Sequence, residues 1–420
     1  MLGRRTLRPS IAVAIAGALT VGACDGGGDP TPTTVAPAIT TTTVASRGSD
    51  GVLTIGVLLP KTGPGATLGA GLIDAVEIAA SDINAAGGVL GQGIRIEEAD
   101  EADSGAMNQL IDLGVDAIVG PASSLVALEQ LATAVEHQVV VCSPTATAIA
   151  LDDYPDDGWF FRTAPSDSLQ MAAIDYTARQ TGASTLAIAY LDDPYGRALQ
   201  DSLASRVRQG GQLTIVDETP FASTDADLSG AARAVLAGGP DVVVVLAGGD
   251  DGGRMLAALD DARGTHPELQ SVIVNDAVRT ARQVIAGLST EFRQKLVGVA
   301  PRAVVDSVPG FFAAHAIDCV NLIALAAVRA ATDRPIDFRR QIGVISYGGA
   351  QCASFSSCVA LLDDGSRIDY TGLSGPVDMR AVGGDLTSGR FDSFRFGDNG
   401  TEVEVTAIPV SATAAAATAP

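Results

Sequence analysis

The sequence is poor in aromatic residues and lacks the signatures of common enzymes. Phe, Trp and Tyr make up 4% of its 420 residues, so its core must be built from aliphatic side chains. Neither a G-x-S-x-G nucleophile motif nor a phosphate-binding G-x-x-x-x-G-K-[ST] loop occurs. The only histidines, His137, His266 and His315, are scattered along the chain, and no Cys/His spacing typical of a metal site occurs. We therefore predict that the protein is not an enzyme and uses no cofactor or metal.

Positive charge is also scarce. The chain has 27 Lys and Arg residues against 49 Asp and Glu residues, which gives a net charge of −22. A protein that binds nucleic acid needs a basic surface for the phosphates, so nucleic acid is excluded as a partner. A chain of this length is expected to form two domains rather than one.

The one apolar run outside the folded body lies at the N-terminus. Three arginines occur within the first eight residues, and Ile11–Val21 is apolar but too short to span a bilayer. The run ends in Val-Gly-Ala before Cys24, a sequence that resembles a bacterial lipobox. We expect residues 1–23 to be a lipoprotein signal peptide and Cys24 to carry the lipid, with the mature protein exported and anchored to the outer face of the cell membrane. The alternative is ordinary signal cleavage, with Cys24 incidental.

Both ends of the mature chain have the composition of unstructured segments. Residues 24–50 are mostly Thr, Pro, Gly and Ala without apolar periodicity, which indicates a disordered tether. Residues 411–420, rich in Ala and Thr, are expected to be a disordered tail.

The body alternates short apolar strands with amphipathic helices. Val115–Val119 and Val139–Cys142 are strand-like, and Leu125–Val135 between them has helical spacing. The same alternation continues to a VVVV strand within Asp241–Ala247, of the kind buried on both faces. This pattern predicts an α/β fold with parallel sheets and right-handed crossovers.

Two similar turns follow the central pair of strands. Gly-Pro-Ala-Ser-Ser begins at Gly120, and Ser-Pro-Thr-Ala-Thr begins at Ser143. Ligands bind at the carboxyl ends of parallel strands, and helix N-termini there favour a carboxylate. The alternative is that Ser123, Ser124 and Thr147 only cap helices.

These turns resemble the ligand-carboxylate turns of the branched-chain amino acid (Leu/Ile/Val) binding proteins, the solute receptors of amino acid ABC importers. IGVLLPKTGP…INAAGGVLG near the start and SGPVD…SGRFDSFRF near the end extend the resemblance over roughly residues 52–410. It implies the type I periplasmic binding protein fold, with two Rossmann-like lobes joined by a three-strand hinge. The N-terminal lobe would comprise residues 51–161 and 301–372, and the C-terminal lobe residues 162–300 and 373–410.

The resemblance also implies a set of ligand-binding residues in the N-terminal lobe. The ligand carboxylate would be held by the two turns, and Leu68 would contact the ligand side chain. For Leu68 the alternative is a place in the core or in an exposed loop. The four turn residues assigned to the carboxylate are Ser123, Ser124, Thr145 and Thr147.

In the C-terminal lobe the resemblance assigns acids to the ligand ammonium. Asp167, in RTAPSD, and Asp276, after a strand, match the ammonium-binding positions, and Tyr195 matches an aromatic contact. Asp250 stands where the family usually has an aromatic residue, which favours a more polar or cationic ligand. The alternatives are that Ser166 or Asp167 caps the next helix and that Asp250 and Asp276 are solvated loop acids.

The implied function is capture of an amino acid or related small molecule between the lobes, followed by delivery to an ABC importer permease. An alternative of the same fold is a surface sensor that partners a membrane signalling protein. Aspartates at strand ends would also suit an acid–base enzyme, but no nucleophile or cofactor motif accompanies them.

Four cysteines remain after Cys24. An exported protein can keep disulfides, and Cys352 and Cys358, six residues apart, are expected to pair. Cys142 and Cys319 either pair or stay as buried thiols, since distance cannot be judged from sequence.

Overall fold

The structure is a computed structural model, and it describes residues 48–63, 65–302, 310–379 and 384–411. The predicted signal peptide, the lipidation site Cys24, nearly all of the tether and nearly all of the tail lie outside these residues. The described body contains two large sheets with helices on both faces of each, and one small sheet.

The first large sheet has five parallel strands in the order β2-β1-β3-β4-β5. Its central strands are entirely buried, as their continuous apolar sequences predict. The strands are β1 (Thr54–Leu59), β2 (Arg95–Asp100), β3 (Ala117–Val119), β4 (Val140–Ser143) and β5 (Phe160–Arg162).

The second large sheet has seven strands in the order β7-β6-β8-β9-β10-β14-β15. The first five in this order are parallel, and the last two are antiparallel. Its strands are β6 (Thr185–Leu191), β7 (Thr214–Phe221), β8 (Val242–Leu246), β9 (Ser271–Val274), β10 (Leu296–Pro301), β14 (Ser388–Phe396) and β15 (Glu402–Ser411).

The helices cover both faces of these sheets. The sequence sets the bounds of these helices, as the fifth helix shows. It begins at Pro194, directly after the N-cap Asp193, and it ends before Gly211, which adopts the left-handed region at φ 63°. The helices are α1 (Ala66–Ala85), α2 (Ala106–Asp112), α3 (Ser124–Glu136), α4 (Asp167–Gln180), α5 (Pro194–Gly210), α6 (Ser229–Leu236), α7 (Gly249–Ala262), α8 (Arg282–Gly287), α9 (Thr290–Lys295), α10 (Ala313–Ala330), α11 (Pro335–Ile345) and α12 (Phe355–Asp363).

The chain passes between the two sheets three times. It leaves the first sheet after β5 and enters α4, which packs on the second sheet. It returns after β10, since α10 packs against α1 in the core of the first sheet. It leaves again after the small sheet β11 (Ala350–Cys352), β12 (Ile368–Gly372) and β13 (Gly375–Pro376). These passages match the predicted three-strand hinge, while the residue bounds given above for each lobe stay a prediction.

Helix α10 is the main apolar element of the first core. By length and composition it is the one helix among the described residues that could cross a membrane, and 83% of it is buried inside the protein. That burial is what the core helix of a globular protein requires.

Two disulfides tie elements of the first lobe together. Cys142 at the end of β4 is bonded to Cys319 of α10, with Cα atoms 5.7 Å apart. Cys352 and Cys358 are bonded with Cα atoms 5.3 Å apart. The structure thus contains the expected disulfide between Cys352 and Cys358. Of the two alternatives for Cys142 and Cys319, a disulfide or buried thiols, the structure has the disulfide.

Arg162 lies at the first passage and is fully buried. Its Nε and Nη2 donate to the two carboxylate oxygens of Asp385 at 2.5 and 2.9 Å, and Nη2 also donates to Asp152. Its Nη1 donates to the carbonyl oxygens of Ala146 and Ala148 at 3.3 and 3.1 Å. One guanidinium therefore joins the second turn, the first passage and the third passage.

Candidate functional site

The two predicted turns lie side by side at the carboxyl ends of β3 and β4, which are adjacent and parallel. The Ser143 hydroxyl donates to the Pro121 carbonyl at 2.6 Å. The Thr145 hydroxyl donates to the Ala122 carbonyl at 2.8 Å. The Thr145 side chain, predicted to bind ligand, is thus used to hold one turn against the other.

The two serines of the first turn have different roles. Ser123 is the N-cap of α3, because its hydroxyl oxygen accepts from the Val126 N–H at 3.5 Å. Ser124 accepts from the Ala148 N–H at 3.2 Å. A hydroxyl that accepts in this way still has its own hydrogen to donate, so Ser124 remains suited to bind a carboxylate.

A carboxylate from the protein already occupies part of the first turn. The N–H groups of Ala122 and Ser123 donate to the two oxygens of Glu101, each at 2.7 Å. Glu101 is buried, which raises the pKa of its carboxyl, and the two N–H donors oppose that increase. These two N–H groups are therefore not available to a ligand.

Asp167 is the first residue of α4 and is 0% exposed. The N-cap is Ser166, whose hydroxyl accepts from the Ser168 N–H at 3.0 Å. The Asp167 N–H donates to the Thr147 carbonyl at 2.8 Å, which ties the acid to the second turn. Neither carboxylate oxygen of Asp167 has a hydrogen-bond partner in the described part of the chain. A buried carboxylate without donors is rare and calls for a ligand that supplies them.

The groups facing Asp167 make the site strongly acidic. Burial is the main cause that raises the pKa of Asp167, and the charges of Asp276 and Asp152 raise it further. The nearby Thr147 hydroxyl and the Arg162 charge lower it, although Thr147 does not reach hydrogen-bond geometry. Burial, together with Asp167 and Asp276, also raises the pKa of the Tyr195 hydroxyl well above its usual value. A cation that donates hydrogen bonds would relieve this repulsion.

The ends of two strands of the second sheet position the remaining polar groups. Asn275, directly after β9, accepts from the Ala247 N–H at 3.2 Å through Oδ1 and donates to the Tyr195 hydroxyl through Nδ2 at 3.4 Å. Asp276 opens the 3₁₀ helix Asp276–Thr280 and is half-buried. Its Oδ1 accepts from Gln170 Nε2 at 3.0 Å. Gln170 was not predicted from the sequence, although its position three residues after Asp167 places it on the same face of α4.

Two predicted residues are not joined to this group by any contact among the described residues. Leu68 is half-buried and packs against the core of the first sheet. Asp250 is exposed in the first turn of α7, where an acid is favourable to the helix dipole. Both stay predictions as ligand contacts, and the exposure of Asp250 weakens the inference that it selects a cationic ligand.

No group of three or more His, Cys, Asp or Glu side chains in the described ranges could hold a metal ion. The acids of the site are arranged as two carboxylates, Asp167 and Asp276, beside an amide and a phenol. This arrangement is suited to bind an ammonium group at the two acids. The hydroxyl groups of the turns lie on the other side and are suited to bind a carboxylate.

The sequence is similar to known solute-binding proteins. The profile of the family described as periplasmic binding protein matches residues 52–335. The substrate-binding protein BasB of a chemotactic signal transduction system in Halobacterium salinarum is 31% identical over 357 residues, which cover 79% of this chain and 84% of BasB. The Leu/Ile/Val-binding protein BraC3 of Rhizobium johnstonii is 30% identical over 199 residues, which cover 46% of this chain and 53% of BraC3. The alignment thus spans about half the length of that relative.

Solved structures show the same fold. The branched-chain amino acid transporter substrate-binding protein LivJ of Streptococcus pneumoniae, in complex with isoleucine, has a TM-score of 0.64 at 19% identity, covering 85% of this chain and 99% of LivJ. The leucine-binding protein LivK of Thermotoga maritima has a TM-score of 0.66 at 18% identity, covering 86% and 100%. The predicted type I periplasmic binding protein fold is confirmed.

We expect the Asp167→Asn variant to be more stable than the wild-type protein in the absence of ligand. The folded state raises the pKa of Asp167, so wild-type stability is lost as pH rises from about 4 through that raised value. Asn carries no charge, and its advantage should therefore be near zero at about pH 4 and grow to about 2 kcal/mol at about pH 9. Chemical denaturation at both pH values measures the difference.

The control is Asp201→Asn, because Asp201 is exposed in the middle of α5. That variant should differ from wild type by no more than about 0.5 kcal/mol at either pH. An Asp167→Asn protein that is less stable than wild type at about pH 9 would show that the buried carboxylate is already satisfied.

Proposed function

The chain belongs to the periplasmic binding protein family, and we propose that it is an extracytoplasmic receptor that captures an α-amino acid between its two lobes and delivers it to an ABC importer permease. The observation that carries the ligand class is the buried Asp167, whose carboxylate has no donor in the described residues. Asp276 and Tyr195 face the same space. The family, whose members bind solutes, gives no support for catalysis.

The site is bipolar in the way that a zwitterion requires. Ser124 and Thr147, at the ends of first-sheet strands, offer hydroxyl groups to a carboxylate by charge-assisted hydrogen bonds. Asp167 and Asp276 offer acceptors to an ammonium. A ligand that engages both ends favours the closed arrangement of the lobes over the open one, because only the closed arrangement makes both sets of contacts.

A second function is favoured by one comparison. BasB, a substrate-binding protein of a chemotactic signal transduction system, aligns with 79% of this chain. A sensor would use the same capture site and present the closed form to a membrane signalling protein instead of a permease. Binding of the purified protein to one or the other membrane partner decides between import and sensing.

The test of the ligand class is a thermal shift of the protein against a panel of amino acids, small amides and aromatic acids. A ligand that binds only the folded state raises the melting temperature by mass action. We expect shifts with one or more α-amino acids, L-leucine and L-isoleucine among the candidates. Shifts confined to compounds without an ammonium would contradict the proposed roles of Asp167 and Asp276.

The turns can be tested by the double variant Ser124→Ala/Thr147→Ala. Loss of two hydrogen bonds to a charged carboxylate, at about 1.5 kcal/mol or more each, should weaken binding at least about tenfold. Isothermal titration with an amino acid found in the panel measures the change. Ser123→Ala is the matched control, since Ser123 caps α3; it should lower stability by about 1 kcal/mol and leave affinity unchanged. A double variant that binds the amino acid as tightly as the wild-type protein would show that the turns do not contact the ligand.

We also propose that the lipid on Cys24 holds the receptor at the outer face of the membrane. The support is the sequence before Cys24 together with the extracytoplasmic location implied by the family. Cys24→Ala should move the protein from the membrane fraction to the soluble exported fraction, as measured by fractionation. A variant that stays with the membrane would contradict the lipid anchor.

A further inference from the structure

Gln170 lies three residues after Asp167 on α4, is hydrogen-bonded to the second acid of the candidate site, Asp276, and is itself 0% exposed. Its Nε2 donates to Asp276 Oδ1 and to the Val299 carbonyl oxygen, each at 3.0 Å. Both neighbours are acceptors only, so the nitrogen of the amide must face them and the amide cannot be flipped. The two donors of Gln170 are therefore both used, and its Oε1 is buried without a partner among the described residues.

The two carboxylates of the site differ in the hydrogen bonds that they accept. Asp276 receives a hydrogen bond from Gln170, and a donor of this kind favours the charged form of a carboxylate. Asp167 receives no hydrogen bond on either oxygen from the described residues. Two carboxylates that face each other in a buried site resist carrying two charges at once. A single proton in the empty site is therefore favoured on Asp167.

Each of the other groups that face Asp167 is consistent with this placement. Asp152 repels a charge on Asp167, and Tyr195 of α5 is a neutral phenol. Arg162 of β5 attracts such a charge, but its guanidinium already pairs with Asp152 and Asp385. The Thr147 hydroxyl lies close without forming a hydrogen bond.

We propose that Gln170 is a positioning residue for ligand binding: its hydrogen bond to Asp276, with none to Asp167, leaves the proton of the empty pair on Asp167, and an entering ammonium displaces that proton. The ammonium arrives already protonated, the Asp167 O–H bond breaks, and the proton goes to the solvent. The displacement step rests on the proposed function, whereas the location of the proton in the empty site does not.

A pH dependence of affinity follows. Below the pKa of Asp167, which burial raises, each unit of pH should increase the affinity for an α-amino acid about tenfold, because one proton is released per ligand bound. Above that value the affinity should be constant until the ligand ammonium itself titrates.

The location of the proton can be measured without any ligand. The full-length protein is labelled at the aspartate carboxyl carbons, and their resonances are followed by NMR from about pH 4 to about pH 9. In the wild-type protein we expect one carboxyl resonance to titrate well above the usual range of an aspartate. That resonance should be missing from the spectrum of Asp167→Asn. In Gln170→Met the hydrogen bond that distinguishes the two carboxylates is lost, so the Asp167 resonance should titrate at a different pH than in wild type.

The matched control is Gln200→Met, because Gln200 is a second buried glutamine that donates to a carboxylate, that of Glu218 on β7. This variant should leave the Asp167 resonance unchanged. A Gln170→Met titration identical to that of wild type overturns the proposal, as does the absence of a high-titrating Asp167.

If Gln170→Met does not fold, Asp276→Asn tests the same coupling. It keeps an oxygen that accepts from Gln170 but removes the charge, so Asp167 should titrate at least about one unit lower than in wild type. An unchanged Asp167 titration in this variant overturns the proposal.

The displacement step is measured by calorimetry with L-leucine, or with another amino acid that gives a thermal shift, in two buffers of different ionisation enthalpy. Release of about one proton per ligand is expected below the Asp167 titration. Binding without proton release, together with a protonated Asp167 in the empty site, overturns the displacement step. If no amino acid binds, the proposed function fails, and the ligand-free titration still decides the role of Gln170.

Discussion

The buried guanidinium of Arg162 is the interaction on which the rest of the site depends. Its five N–H donors reach the two oxygens of Asp385, one oxygen of Asp152, and the carbonyls of Ala146 and Ala148. A buried charge is costly unless it is fully paired and hydrogen-bonded, so these segments cannot separate without exposing or orphaning it. Asp152 also accepts from Ser166, the N-cap of α4, at 2.6 Å. The position of Asp167 is therefore fixed through this network, although Asp167 itself takes no part in it.

Three buried carboxylates of this protein, Glu101, Asp318 and Asp167, differ in where their hydrogen-bond donors come from, and the difference sets apart Asp167, the one proposed to bind ligand. Glu101 accepts from two backbone N–H groups. Asp318 accepts from the N–H groups of Leu373 and Ser374 and from the hydroxyls of Tyr370 and Ser374. Both acids serve the fold, since their donors come from the chain itself. Asp167 is equally buried, and its carboxylate has no donor among the residues that the structure describes. A carboxylate in this state costs stability and is not needed by the fold.

Much of the fold follows from local sequence, whereas half of the site does not. Short apolar runs and helical spacing predicted β3, α3 and β4 within a few residues, because a parallel sheet demands strands buried on both faces. Strand ends then located Asp167, Tyr195 and Asp276. The pairing of Arg162 with Asp385 joins residues 223 apart, and no local pattern carries that information. Glu101 was missed for the same reason: it lies on the neighbouring strand end and reaches the turn only through the order of the strands.

The geometry also explains how one capture site suits either import or sensing. Asp167 is tied to the second turn through the Thr147 carbonyl, so it belongs to the hinge as much as to the second sheet. Asp276 and Tyr195 come from strand ends of the second sheet alone. Asp276 is hydrogen-bonded to Gln170 of α4, the helix that begins at Asp167, so the two acids stay together during closure. In the proposed capture, closure would bring these acids and the turns of the first sheet onto the same ligand, and the free energy of closure would come from the contacts added in that step. A permease and a signalling protein would both recognise the closed form, so what separates them must lie on the outer surface of the lobes and not in the pocket.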